Sequence, residues 1–236
     1  MNYQKLYSGE HLKKINPSWN YERWSYKHTF EAKMEYILKL MSKVPKHCRI
    51  LDAGCGQGLL VEEFKRQGYD IQGIDAFYSS EVVKKDDILK NGFANNTFDV
   101  ILCLDVIEHF QFSEQEKLVA ELTRILKPKG KIIFSIPNKG NLTAKIFFFI
   151  PKLSRTAKPE YHPGDRDIKD YLKFMGKRLR IVKKKGLSPT IPGLFQLTQL
   201  FPTHTQWLYN LMEPFSVFYS WCFNVVVVGE KKQKTI

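Results

Sequence analysis

Arg49-Ile50-Leu51-Asp52-Ala53-Gly54-Cys55-Gly56-Gln57-Gly58-Leu59-Leu60-Val61 is the stretch that decides the fold of this 236-residue chain. A short apolar run ends on an Asp, three glycines follow at alternate positions, and a second apolar run opens. Strand, glycine turn and helix in that order present backbone N–H groups to a ligand. Glycine is needed where the chain turns sharply or where a ligand lies against the backbone. An acidic residue, Asp75, stands 17 positions beyond Gly58.

Outward from this turn the chain alternates. The pattern predicts strands over 49–53, 70–76, 82–85, 97–104 and 131–136, with helices over 59–67 and from Ser113 to Leu126. The second helix is expected to start in a capping box of Ser113 and Glu116. Helical spacing of Trp24, Phe30, Met34, Ile37, Leu38 and Met41 predicts one helix over 20–42. Further on, a helix over 167–176, a strand over 179–183 and a β-branched strand over 223–228 are expected. Strands alternating with helices argue for an α/β fold, a doubly wound, mostly parallel seven-stranded sheet. Ligands bind such sheets at the carboxyl ends of the strands. Asp52–Cys55, Asp75 and the 104–109 stretch fall at three such ends.

Composition bounds the rest. At 43% hydrophobic and 26% charged, the chain is globular. Cys48, Cys55, Cys103 and Cys222 form no C-x-x-C pair and read as reduced thiols of a cytoplasmic protein. There is no apolar run of spanning length and no signal-peptide core at the N-terminus. Residues 1–126 carry 17 basic and 18 acidic side chains, whereas 127–185 carry 17 basic and 4 acidic, so the net charge of +13 sits in one quarter of the chain. Such a segment either keeps the surface soluble or attracts an anionic substrate or membrane.

An acid closing the second strand suits a ribose diol, hence an adenosine ligand. A dinucleotide needs G-x-G-x-x-G spacing and a pyrophosphate on the helix N-terminus. Here the glycines fall as G-x-G-x-G, and Asp52 would oppose a pyrophosphate. A carboxylate there better suits a ligand with an ammonium group, such as S-adenosyl-L-methionine.

The stretch 51–58 resembles motif I of the class I S-adenosylmethionine-dependent methyltransferases. Residues 98–110, ending Leu104-Asp105-Val106-Ile107-Glu108-His109-Phe110, are similar to their fourth-strand block. Residues 126–138 are similar to the following helix end and fifth strand. The resemblance covers about 49–138 and is closest to small-molecule O-methyltransferases of the ubiquinone-biosynthesis type. It implies that Gly54, Gly56 and Gly58 shape the turn under the cofactor beside Cys55, and that Asp52 orients the turn. It implies that Asp75, with Ala76, holds the ribose hydroxyls, that Asp86 or Asp87 faces the adenine, and that Leu104 contacts the methionine moiety. The ten residues between Asp75 and Asp86 leave no room for the family's usual helix there.

The resemblance also places His162 where the family carries a His near the substrate. With His109, it is a candidate to take a proton as the methyl transfers. Asp105, Glu108 and His109 offer oxygen and nitrogen ligands on one turn, but a similar Glu-His in related enzymes packs beside the cofactor, and no metal is assigned.

One methyltransferase domain is expected, with an N-terminal aromatic lid and helix over 1–45, a cofactor core over 49–138, a basic and apolar insertion over 139–166, and an aromatic cap over 186–222. The insertion contains Phe147-Phe148-Phe149 among lysines, a composition that caps a site or touches an anionic membrane, so a cytoplasmic protein peripheral to the inner membrane face is expected. The expected substrate is small or lipid-linked, with a hydroxyl as acceptor. The alternative is an RNA-directed methyltransferase or nucleic-acid binder using 127–185. The sequence Leu104-Asp105-Val106-Ile107 lacks the Asn/Asp-Pro-Pro-Tyr pattern of base-amino methylation and argues against that alternative.

Overall fold

The computed structural model describes residues 3–7, 9, 13, 14, 16–146 and 162–233. The Phe147–Phe149 cluster and most of the 139–166 insertion lie outside the described residues. Seven strands form one sheet: β1 (Arg49–Ala53), β2 (Asp70–Asp75), β3 (Val83–Lys85), β4 (Phe98–Leu104), β5 (Leu126–Pro137), β6 (Leu179–Pro189) and β7 (Cys222–Lys231). Their order across the sheet is β3-β2-β1-β4-β5-β7-β6. The first five pair in parallel, and β7 runs antiparallel to both β5 and β6. The chain reverses direction of growth between β3 and β4, so β1 and β4 flank the switch point where α/β sheets bind ligands.

Period-2 alternation along β4 and β5 builds two cores. Ile101, Cys103, Ile132 and Phe134 face one side, where α3 (Phe112–Ile125) contributes Leu118 and Leu122 and α5 (Ile168–Met175) contributes Tyr171 and Met175. Val100, Leu102 and Ile133 face the other, against Phe30, Met34, Ile37 and Met41 of α1 (Lys27–Met41) and Val61 and Phe64 of α2 (Leu59–Arg66). Helices therefore cover both faces, as the apolar runs of parallel strands require.

Several boundaries differ from the sequence-based expectation. Helix α1 starts at Lys27 rather than near residue 20, because the Asn20 side chain accepts the Glu22 N–H at 2.8 Å and closes a separate 3₁₀ turn, Tyr21–Arg23, after which Trp24 is extended. The cap of helix α3 lies two residues before the expected one: the Gln111 N–H donates to Glu114 Oε2 at 3.3 Å, so Gln111 and Glu114 form the box and Ser113 lies inside the helix. Strand β5 begins at Leu126, taking in the Lys127–Gly130 stretch through an irregularity at which Lys129 has a φ of +63°. Strand β6 runs on to Pro189, because the long β7 pairs with it as far as Pro189 opposite Cys222. The first residues of the expected cap are thus strand. The remainder forms α6 (Leu194–Leu200), α7 (Gln206–Met212) and two 3₁₀ turns, Glu213–Val217 and Tyr219–Trp221. A short α4 (Leu142–Ile146) follows β5, and, as the spacing required, no helix lies between β2 and β3.

Candidate active site

The glycine turn after β1 is held in a shape only glycine accepts easily. Gly54, Gly56 and Gly58 have φ of +80°, +56° and +82°, in the left-handed region. A Cβ on Gly54 would come within 2.5 Å of Val106, and one on Gly58 within 2.4 Å of Val83. At Gly56 nothing lies within 4 Å of that position, so the backbone there is open to a ligand.

This turn forms one wall of a cavity of about 640 Å³. Asp52, Gly54, Cys55, Gly56 and Leu104 line it from β1 and β4, and Glu108, His109, His162 and Asp165 line it as well. Tyr7, Trp24 and Tyr26 line it from the N-terminal segment. The Tyr7 and Trp24 rings stack at 4.5 Å between centroids. Tyr21, by contrast, is buried in the core. From the expected cap only Gln199 reaches the cavity, with Phe223 and Asn224 of β7.

Gly58, Asp75, Ala76, Asp86 and Asp87 do not line this cavity. Asp75 sits immediately behind the turn. Its Oδ2 accepts the Gly56 N–H at 2.8 Å, and its Oδ1 accepts those of Phe77 and Tyr78 at 2.8 and 3.2 Å. The Asp75 carbonyl accepts the Asp86 N–H at 3.0 Å, which puts Asp86 beside it. Asp86 is half-buried and receives the Lys84 ammonium at 2.6 Å. Asp87 is exposed, and its carboxylate caps the Leu89 N–H at 2.8 Å. Ala76 is also exposed.

Asp52 is buried at the cavity wall, and burial together with the nearby Asp75 carboxylate pushes its pKa up to about 7. No ion pair neutralises it among the described residues. A cationic group in the cavity would therefore be stabilised there, which fits the ammonium of S-adenosylmethionine and not a pyrophosphate.

A polar cluster that the strand pattern did not anticipate occupies the floor. Asp105 has a φ of +53°. It is ion-paired to Lys33 of α1, and its Oδ1 accepts from Ser135 Oγ at 2.5 Å and Asn224 Nδ2 at 3.1 Å. The same Asn224 amide donates to Tyr26 Oη at 3.2 Å. Burial pushes the Asp105 carboxyl up, but Lys33 and the two hydrogen bonds outweigh it and hold it below the usual range. Glu108 is pushed well above the usual range, first by its burial and then by the Asp105 charge beside it. Two signals in the sequence mark this cluster. Lys33 interrupts the apolar face of α1 between Phe30 and Ile37, and Asn224 interrupts the apolar run of β7.

The two candidate imidazoles lie side by side. The His109 and His162 rings stand edge to face at 4.8 Å, and Glu108, His109 and His162 offer ligand atoms within 4.8 Å of one another. Asp105 is not in that group, being engaged by Lys33. His162 Nδ1 lies 3.5 Å from Asp165 Oδ1. The return of the insertion to this point is fixed by Gly164. Its N–H donates to the Glu108 carbonyl at 2.9 Å, and its own carbonyl accepts from Gln115 Nε2 at 2.7 Å and Tyr171 Oη at 2.8 Å.

Comparison with known proteins places this geometry. Residues 26–163 match the methyltransferase domain family. The chain is 27% identical over 186 residues to the ubiquinone biosynthesis O-methyltransferase of Rickettsia conorii, covering 70% of this chain and 61% of the relative. It is 33% identical over 132 residues to that of Nitrosococcus oceani, covering 50% and 53%. It thus spans roughly half to three-fifths of the length of these relatives. Among solved structures, the PH0226 protein of Pyrococcus horikoshii aligns with a TM-score of 0.59 at 16% identity, over 94% of this chain and 99% of that one. The N-methyltransferase NodS of Bradyrhizobium japonicum, solved with S-adenosyl-L-homocysteine, aligns with a TM-score of 0.56 at 11% identity, over 87% and 88%. At these identities the structural likeness shows the fold.

Proposed function

Because this chain belongs to the S-adenosylmethionine-dependent methyltransferase family, we propose that it moves a methyl group to a hydroxyl oxygen of a small or lipid-linked acceptor. One observation carries the reading: the glycine turn with its buried carboxylate and the pair of imidazoles line a single cavity. When bound, the cofactor would supply a methyl group on a sulfonium whose sulfur departs as a neutral thioether, a leaving group that needs no further activation.

What remains for the protein is to bind, align and keep water out. Gly54, Cys55, Gly56 and Leu104 form the cofactor wall, and Asp52 faces its ammonium. Asp75 Oδ1 already accepts two N–H bonds and Oδ2 one, which leaves a lone pair free on Oδ2, so it can take a ribose hydroxyl while still bracing the turn. Asp86, packed against Asp75, is better placed for the adenine than the outward Asp87. Tyr7, Trp24 and Tyr26 cover the cavity and leave an apolar aromatic wall for the acceptor. His162 takes the acceptor's proton, with Asp165 steadying its other ring nitrogen and His109 packed against its ring. The O-methyltransferase names of the sequence relatives support the choice of oxygen.

The test is calorimetry with S-adenosylmethionine and S-adenosylhomocysteine, followed by transfer from methyl-labelled cofactor to phenols, aliphatic alcohols and amines, each with and without a prenyl tail. Label on oxygen is expected. Absence of binding by both cofactor forms, or label on amines alone, would overturn the reading.

A further inference from the structure

The segment between β6 and β7 turns an uncharged apolar surface outward. From Gly186 to Gly229, Glu213 is the single Asp, Glu, Lys or Arg. Helix α6 buries Phe195 and Thr198 and leaves Leu197 and Leu200 outside. Helix α7 buries Leu208, Tyr209 and Met212 and turns out Trp207 and Leu211. Val217 and Phe218 continue the surface in the turn that follows. Leu200, Trp207 and Val217 are 70%, 66% and 72% exposed. The elements that carry these side chains adjoin one another: α6 packs on α7, α7 on the turn, and the turn on β6. Single exposed apolar side chains are ordinary, but a grouped set of this kind marks a contact surface.

Charge identifies what it contacts. The one acid, Glu213, is neutralised by the Lys185 ammonium at 2.6 Å. Strand β6 is the edge of the sheet and exposes Lys183 and Lys184 next to the apolar surface. The Lys184 ammonium lies 4.5 Å from the Tyr219 ring centroid, at the border of the two. Apolar and Trp side chains rimmed by lysines, with no unpaired acid, match the acyl boundary and anionic headgroups of a bilayer. No helix among the described residues is long and apolar enough to cross a membrane, so contact would lie in the interface plane.

We infer that α6, α7 and the turn after them dock this chain on the surface of an anionic lipid bilayer, with Leu200, Trp207 and Val217 entering the headgroup–acyl boundary. Gln199, one residue from Leu200, lines the active-site cavity, so docking sets that cavity against the interface. The inference does not depend on which atom accepts the methyl group.

Flotation with vesicles of phosphatidylcholine containing phosphatidylglycerol tests it, beside vesicles of phosphatidylcholine alone. The full chain is compared with the triple variant Leu200→Gln, Trp207→Gln, Val217→Gln, and with Lys183→Glu, Lys184→Glu. All three sites of the triple variant are exposed, and its fold is checked by thermal melting and by S-adenosylmethionine binding. Flotation with the anionic vesicles is expected, falling at least about tenfold in either variant and weakening with salt. Brominated lipid is expected to quench a component of tryptophan emission that Trp207→Phe removes. Failure of the wild-type chain to float at low salt would overturn the inference, as would equal flotation of the folded triple variant. Sedimentation velocity showing a wild-type dimer that the triple variant dissolves would assign the surface to a second copy instead. Cofactor binding measured on the same samples separates failure of docking from failure of the enzymatic reading.

Discussion

The ammonium of Lys33, on the lid helix α1, is paired with the carboxylate of Asp105 at the end of β4, and both residues line the cavity. The pair ties the N-terminal segment to the strand end on which Glu108 and His109 follow. Lys33 is almost fully buried, and removing one partner of a buried pair leaves an uncompensated charge. Asp105 keeps Ser135 and Asn224 and retains some exposure, so the cost of Lys33→Met should be near the low end, about 3 kcal/mol. Urea unfolding checks it, and the double variant Lys33→Met, Asp105→Asn should recover part of the loss. Wild-type stability in the single variant would rule out the pair as a tie.

The raised Asp52 carboxyl makes cofactor affinity pH-dependent. At about 7, its pKa lies well above the ordinary aspartate value because of burial and then the Asp75 charge. In the free protein it is protonated below that value and must ionise to meet a cationic ligand, so binding releases a proton. Affinity for S-adenosylmethionine should therefore rise about tenfold from pH 6 to pH 8. Calorimetry in buffers of different ionisation enthalpy reads the proton directly. Asp52→Asn should bind more weakly and lose the dependence. Stability of the cofactor-free protein carries the opposite sign: a folded pKa above the unfolded one stabilises at low pH, and the contribution is lost as pH rises through about 7. The melting temperature should accordingly fall between pH 5 and 8 by more in wild type than in Asp52→Asn.

How much of this the sequence carried depends on how local each feature is. The turn around Gly54, Gly56 and Gly58 was legible because positive φ and close packing against Val106 and Val83 act within a few neighbouring elements. His162 was singled out only through resemblance, and its contact with His109 was not anticipated. The Lys33–Asp105–Asn224 cluster was not reached, since its members stand 72 and 119 positions apart and join only once α1 and β7 fold against the end of β4. The extension of β6 to Pro189 was hidden for a related reason: pairing with β7, not the residues of 184–189, makes that stretch a strand.

His162 should matter to turnover and little to cofactor binding. Its ring lines the cavity beside His109, and among the described residues no hydrogen bond or ring contact joins it to the glycine turn. If it takes the acceptor's proton, His162→Gln should lower kcat by about a hundredfold or more and leave S-adenosylmethionine affinity within about twofold. His109→Gln, which removes only the ring packed beside it, should cost less. Comparable losses of kcat in the two variants would place the proton acceptor elsewhere.

Gly164 decides whether His162 reaches the site at all. A Cβ there would stand 2.1 Å from both Gln115 Nε2 and the Phe110 carbonyl oxygen and 3.0 Å from the Glu108 carbonyl. The two carbonyls are backbone on the turn after β4 and cannot swing aside as a side-chain tip can. The Gln115 amide also donates to the Ile107 and Phe110 carbonyls at 3.1 and 3.3 Å, so displacing it leaves buried acceptors unpaired. Gly164→Ala should thus cost about 1–3 kcal/mol by crowding, and Gln115→Leu about 2 kcal/mol by orphaning the carbonyls. Both should reduce methyl transfer by more than the stability loss explains, since each shifts His162 against His109. The turn at Gly54–Gly58 is untouched, so S-adenosylmethionine binding should persist. Thermal melting, cofactor calorimetry and initial rates on the same two variants check this, and loss of cofactor binding in step with activity would instead mean that the site is disrupted as a whole.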